Sequence, residues 1–595
     1  MRRRLIGWIA IAVLLAGVAG CGERPYKPVD LPRAKNVILV SIDTLRADHL
    51  GCYGYSRPTS PRIDAFAKES VRFARAYSSS NWTLPGHAGM LTGRMTTRHG
   101  GLRFDSALRE DVPLVSQVVQ GAGFDTAAFV SHTFVTKKYG FGRGFDTFDY
   151  KQSIGSVALT DKALAWLEKR TDEKGFFLFL HYFDVHNPYG KADAPVEQFT
   201  SDAQCRGPVE VGKVIAAALQ RQWGAFDCFT ALYDADIALV DRELGRLFDF
   251  LKARGRFEDT LIVVTSDHGE LLGKGEGATH GVTLREAEIA VPLLLRFPGG
   301  AGGRGYVASP VSTIQIAPTI LDSVGLPVFD TDLPSLLPLL AGGPAPAWVG
   351  ADSSNTGYQQ IAMVKDRYKL FQPPEFHMLG ARLAPLLVDL DRSEDEDIWA
   401  EQPQRARDMI QLARRSDLYG EGTCFEFAHQ FDTRYGNLKL RLTLPAGVEP
   451  VFLRPIHRQF ATAGGKLRER FPQTKRDGNT IEVRLDPSRQ KAGIVVVLPQ
   501  GAALTAELLP PGKQGLPPLF AGEDRHTWDG DSLTLPATDA AWMPASGSDP
   551  PDDYLWVRNY GVLHMEHPAG GPSDKRVELD KRQRDALRAL GYLGM

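Results

Sequence analysis

Three short stretches carry residue types that can do chemistry. Asp43 closes the run "NVILVSID", Asp267 and His268 stand side by side in "TSDHGELLGKGEGATHG", and His280 follows twelve residues after His268. Carboxylates and imidazoles are the groups that hold cations and carry protons. The third stretch, "NWTLPGHAGMLTGR" over 81–94, has the texture of a turn running into a helix, with Pro85 and Gly86 at the bend. Such a turn presents a side chain at the mouth of a sheet. Each stretch alone also has an ordinary structural reading. An Asp after a strand is a common cap, "DHG" is a good turn, and a single histidine is usually just a satisfied polar group.

Their chemistry depends on the elements that position them. "NVILVSID", "GFFLFLHYFD" (175–184), "TLIVVTSD" (260–267) and "VPLLLRFPG" (291–299) are continuous apolar runs of the kind found in strands buried on both faces. Helical patterns lie between them: "SPRIDAFAKESVRF" opens with Ser60 and Pro61 at its N-terminus, and "FTALYDADIALVDRELGRLFDFLKARG" is long. Strands alternating with helices predict a doubly wound α/β domain with a mostly parallel sheet. Asp43, Asp184 and Asp267 end three of the strands, at the carboxyl edge where such folds place ligands. After about residue 415, "LKLRLTL", "TIEVRLD" and "GIVVVLP" predict a small antiparallel β domain.

The three stretches, with their order and spacing, resemble the sulfatase family within the alkaline phosphatase superfamily. The resemblance runs through "SPRIDAFAKESVRFARAYSSSNWTLPGHAGMLTG", "FLFLHYFDVHNPY", "YDADIALVDRELGRLFDFL", "STIQIAPTILDSVGLP" and "PLLVDLDRSEDED", covering roughly residues 36–415. It implies an alkaline-phosphatase-like fold and a metal-dependent ester hydrolase. It places Asp43, Thr83, Asp267 and His268 on metal-ligand positions, and one divalent ion, zinc or manganese before calcium or magnesium, suits two carboxylates and an imidazole. Thr83 falls where the family nucleophile stands, Pro85 on the motif proline and His87 in place of an arginine. His186 of "DVHNPY" matches a histidine that contacts the substrate anion, and His280 stands near the leaving-group oxygen as a candidate general acid. His87 is read as orienting or deprotonating Thr83, or as capping the turn.

The sequence departs from the sulfatases at the nucleophile. They mature a cysteine or serine to formylglycine, whose hydrate releases sulfate by elimination. Threonine is no substrate for that maturation, so no formylglycine is expected. A phosphothreonine can be resolved by a second in-line attack. Phosphate-ester hydrolysis or phosphoryl transfer is therefore the expected reaction. A sulfatase acting on sulfated sugars or aryl sulfates is the alternative, and a catalytically inactive, membrane-anchored binding protein the reading from another class. The expected substrate is a small-molecule, glycan or lipid ester. Thr44, where many sulfatases carry a second acid, argues against a sulfatase-type calcium site.

The bulk numbers agree with an ordinary globular body: 595 residues, 43% hydrophobic and 24% charged, with Lys and Arg at 69 against 71 for Asp and Glu. That balance gives no reason to expect a nucleic-acid partner. "MRRR" followed by "LIGWIAIAVLLAGVAG" and Cys21 resembles the leader of bacterial lipoproteins, with an uncleaved anchor helix as the alternative. The expected organisation is a signal peptide over 1–21 ending at a lipidated Cys21, a tether over 22–35 and the catalytic domain over 36–415. A β-rich domain over 416–545 and a linker with an amphipathic helix over 546–595 complete it. This places the protein in a bacterial cell envelope, lipid-anchored and facing periplasm or exterior. In an exported chain, Cys205 and Cys228 are the expected disulfide.

Overall fold

The computed structural model describes residues 24–414, apart from positions within 102–105 and 203–223 and the stretches 274–277, 354–359 and 372–385; beyond 414 it describes chiefly strands. Cys21, the leader and the expected helix at the C-terminus lie outside the described residues.

The main sheet has nine strands. In chain order they are β1 (Arg24–Pro25), β2 (Asn36–Ile42), β3 (Val71–Phe73), β4 (Asp125–Val130), β5 (Thr147–Tyr150), β6 (Phe176–Tyr182), β7 (Thr260–Thr265), β8 (Leu293–Arg296) and β9 (Gly305–Val307). Their order across the sheet is β1-β9-β3-β8-β7-β2-β6-β4-β5, and only β8 runs antiparallel to its neighbours. The alternation of β2 shows why the sheet is buried on both sides. Val37 and Leu39 enter one apolar core, with Leu84, Ala88 and Leu91 of helix α1 (Thr83–Thr92). Ile38, Val40 and Ile42 enter the other, with Phe229, Leu232 and Val240 of helix α2 (Gly224–Ala253). Successive strand residues point to opposite faces, so a strand with no polar face needs a helix layer on each side.

Two boundaries expected from the sequence are corrected. The tether is not free of the domain, because β1 pairs in parallel with β9 and Tyr26 and Leu31 pack onto the core. Gly305 makes this approach possible: a Cβ there would sit 2.7 Å from the Cα of Tyr26. The expected linker 546–595 contains strands Tyr554–Asn559 and Val562–His564, both paired with strand Gly420–Phe431. The C-terminal β structure therefore extends past residue 545. It is antiparallel except where Leu519–Ala521 runs parallel to Leu555–Val557. Ser60 precedes the helix Pro61–Ala67 as expected but makes no side-chain cap; its hydroxyl donates to Asp64 instead. The disulfide joins Cys205 to Cys228.

A four-stranded antiparallel sheet (Val349–Ser353, Gln360–Lys365, Tyr368–Phe371, Leu386–Asp389) braces the segment leading into α1. The Asp352 N–H donates to Ser79 O at 2.9 Å, and Ser80 Oγ donates to Asp352 O at 2.6 Å. This sheet is locked to the main body by Lys369, whose fully buried ammonium donates to Glu286 Oε1 at 2.8 Å and Glu394 Oε1 at 2.6 Å. Removing the cation leaves two half-buried carboxylates facing each other. Lys369→Ala is expected to cost about 3–5 kcal/mol in urea unfolding, against under 1 kcal/mol for a solvent-exposed ion pair.

Candidate active site

β2, β6 and β7 are adjacent and parallel, so their carboxyl ends deliver Asp43, the segment after Tyr182, and Asp267–His268 to one place. Helix α1 begins beside them with Thr83. Gly86 sets how close it comes, because a Cβ there would lie 2.5 Å from the carbonyl oxygen of Asp267. Asp43, Thr83, Asp267 and His268 are all fully buried.

Hydrogen bonds fix which atoms are free for chemistry. His268 Nδ1 lies 2.8 Å from Gly269 O, an acceptor only, so Nδ1 carries the proton and Nε2 keeps its lone pair. That Nε2 faces Thr83 Oγ1 at 3.3 Å, Asp267 Oδ2 at 3.4 Å and Asp43 Oδ1 at 3.6 Å. Asp267 Oδ1 accepts from the N–H groups of Thr44 and His268. Asp43 Oδ1 and Asp267 Oδ2 have no hydrogen-bond partner. Buried carboxylate oxygens without donors are costly unless a cation takes the place of water. Burial pushes the Asp43 carboxyl up to about 8; burial and then the charge of Asp43 push Asp267 well above the usual range. Burial likewise holds His268 well below the ordinary imidazole range. Two unpartnered carboxylate oxygens, a neutral imidazole nitrogen and a hydroxyl fit a divalent cation, and these are the residues that would hold it.

His87 does not stand beside Thr83 as a base. Its Nδ1 lies 2.9 Å from the carbonyl oxygen of Thr83, so it donates there and also faces Asp267 Oδ2 at 3.2 Å. Its Nε2 is left to accept from Ser41 Oγ at 3.0 Å. Both ring nitrogens are committed, which makes His87 a brace between the helix start and Asp267. Of its expected roles the contacts favour orienting the nucleophile turn. They equally deny it a lone pair for the cluster it forms with His181 and Asp267.

His186 and His280 do reach the site. His186 donates Nδ1–H to Asn187 O at 2.7 Å, stacks on Phe183, and lies 4.9 Å from the ring of His280, which is 4.5 Å from that of His268. His280 Nδ1 meets Glu270 Oε1 at 3.1 Å, and Tyr189 Oη donates to Glu270 Oε2. Asp184 is drawn elsewhere: it accepts the N–H of Ser156, at the start of the helix Ser156–Glu168.

Several site residues escaped the sequence reading. His181 Nε2 faces Asp43 Oδ2 at 3.1 Å and aims Oδ1 at the shared site. Burial drives His181 down to about 3, so it acts here as a neutral donor. A signal was available, since a histidine in the otherwise apolar "FFLFLHY" needs a buried partner. Glu270 and Tyr189 carried no such signal. His132 lies 6.0 Å from His186 in the same histidine cluster. His49 pairs with Asp234, Asp48 with Arg46, and His99 accepts from the Gly101 N–H. Lys274 lies outside the described residues.

A doubly wound sheet that brings a hydroxyl, two buried carboxylates and a histidine together at its carboxyl edge has the groups that metal-assisted ester hydrolysis needs. Residues 35–326 match the sulfatase family model. The ulvan-active sulfatase of Formosa agariphila is 24% identical over 324 residues, 49% of this chain and 62% of that protein. A multifunctional alkaline phosphatase superfamily protein of Trinickia caryophylli is 29% identical over 226 residues, 33% of this chain and 43% of that one. The phosphonate monoester hydrolase of Silicibacter pomeroyi shares the fold with a TM-score of 0.52 at 23% identity, over 65% of this chain and 97% of its own.

Two outcomes follow from the geometry. His181→Phe should stay folded yet bind a divalent ion 10–100-fold more weakly by calorimetric titration, because Asp43 loses the donor that aims it. Gly86→Ala should lower stability by about 1–3 kcal/mol in urea unfolding, as helix and strand end are forced apart.

Proposed function

We propose that this sulfatase-family hydrolase acts on phosphate esters, monoesters or diesters, with Thr83 as nucleophile. The observation that carries the reading is a threonine hydroxyl at the start of α1, 3.3 Å from His268 Nε2, at the position where the family's sulfatases need a formylglycine precursor. Thr83 Oγ1 loses its proton to water and forms the bond to phosphorus while the ester bond opposite breaks. The departing oxygen takes a proton from His280, which Glu270 holds through Nδ1, leaving Nε2 for transfer. Water, or an acceptor hydroxyl, then displaces Thr83 and frees the phosphoryl group. A divalent cation on Asp43, Thr83, Asp267 and His268 would lower the hydroxyl pKa and neutralise charge on the substrate; zinc or manganese suits this mixed oxygen and nitrogen set. Sulfate esters are the second reading, supported by relatives such as the ulvan-active sulfatase.

Thr83→Ala should reduce turnover by ~10³-fold or more, while Thr83→Ser should keep part of it. A phosphate ester should outpace the matched sulfate ester, and acid quench should trap phosphothreonine. A clear preference for sulfate, or an unimpaired Thr83→Ala, would overturn the assignment.

We further propose that the protein is anchored in a bacterial envelope membrane through Cys21. "LAGVAGC" after a short apolar run supports this reading. No helix among the described residues is long and apolar enough to cross a membrane. Intact mass of the exported chain should show loss of residues 1–20 and added acyl mass.

A further inference from the structure

We infer that Lys191 is the fixed cation that draws an anionic ester toward the site, and that it positions the turn carrying His186. The inference rests on the reading that the substrate is an ester anion, and holds for phosphate and sulfate alike. Lys191 ends the stretch "DVHNPYGK", within the segment that leaves β6 at the carboxyl edge of the sheet. Its Nζ donates to His186 O at 2.9 Å and to Pro188 O at 2.6 Å, so the turn is folded around its own ammonium group. Helix α2 pins the same turn, because the carboxylate of Asp236 accepts the N–H groups of Gly190 and Lys191, each at 2.8 Å. Tyr189, between them, donates to the Glu270 that meets His280.

The charge of Lys191 has no direct counter-ion. The side chain is half-buried, and among the described residues no carboxylate lies within ion-pair distance of its ammonium. Two carbonyl oxygens satisfy donors but do not neutralise a charge. A lysine drawn out of water in this way is costly unless an anion completes it. Burial holds the ammonium below the ordinary lysine range, and the charges of Asp236, Asp184 and Asp43 oppose that shift. The charge is felt in turn at Asp43 and at His186, where burial is the larger influence.

The site has a use for such a charge. Asp43 and Asp267 would between them use up the charge of a divalent ion, so attraction for the ester's own charge calls for a further cation. Burial drives His186 well below the ordinary imidazole range, and its ring brings no charge of its own. That ring lies 4.9 Å from His280, and His280 lies 4.5 Å from His268, whose Nε2 faces Thr83 Oγ1. The ammonium therefore stands at the far end of a row of rings that finishes beside Thr83. A fixed charge in such partly dry surroundings attracts an anion without touching it.

Charge and hydrogen bonding make different predictions for the two ligands of one experiment. A potential acts on a dianion twice as strongly as on a monoanion, whereas a turn that has merely loosened penalises both alike. The full chain, loaded with manganese, is titrated calorimetrically at pH 8 with inorganic phosphate, largely a dianion there, and with dimethyl phosphate, a monoanion. Lys191→Gln keeps two amide N–H donors and removes the charge. It should bind phosphate about 30-fold more weakly and dimethyl phosphate only about 5-fold more weakly, with manganese affinity unchanged. Lys191→Arg should restore most of both. Lys191→Met, which also removes the donors, is the second neutral variant, and the same inequality is expected in whichever of the two keeps the wild-type melting transition. Equal losses for the two ligands, or a Lys191→Gln protein that binds like wild type, would overturn the inference and leave the ester reading standing. If the wild-type protein binds neither ligand, the reading of the site as an anion site falls, and this inference with it.

Discussion

Two buried carboxylates at the ends of neighbouring strands are the constraint around which this domain is organised. Asp43 and Asp267 are removed from water, and each keeps one oxygen without a donor. An arrangement of that kind is expensive unless positive charge fills the gap between them. The surroundings reduce the cost without closing the gap. His181 takes the second oxygen of Asp43, and the N–H groups of Thr44 and His268 take the second oxygen of Asp267. What stays open is a directed pair of oxygens beside the lone pair of His268, and the Thr83 hydroxyl is placed against that opening.

This constraint explains why the scaffold around the site is rigid. Ser41 and His87 tie β2 to α1, and Gly86 lets the helix approach the strand end at backbone distance. The four-stranded sheet steadies the segment before α1 from the other side, through Ser79 and Ser80. Precision in the nucleophile therefore comes from three layers of contact, each using a different kind of bond.

The fold and the principal site residues were legible in the sequence because buried parallel strands leave an unmistakable apolar pattern, and their ends carry the chemistry. Asp43, Thr83, Asp267 and His268 all lie where a strand stops or a helix starts. The supporting residues were not legible in the same way. Glu270 and Tyr189 are 81 positions apart and meet only through tertiary packing. His87 was visible, but its role depended on which atom each nitrogen faces. The edge pairing of Arg24–Pro25 was hidden because a two-residue strand beside prolines reads as a tether, and glycine at 305 is what lets it dock. Asp184 erred the other way: its place after a strand suggested a ligand, whereas its carboxylate accepts the N–H of Ser156 at the start of the preceding helix.

Thr44 is held in an unusual backbone conformation beside the site. Its backbone lies in the left-handed region, with φ of 58°, where a β-branched residue is disfavoured. It is held there by its N–H to Asp267 and by its hydroxyl, which donates to Val185 O at 2.8 Å across the strand ends. An aspartate at this position would be ionised and could not donate to that carbonyl. Acquiring a second acid would thus loosen the seam between β2 and the segment after β6.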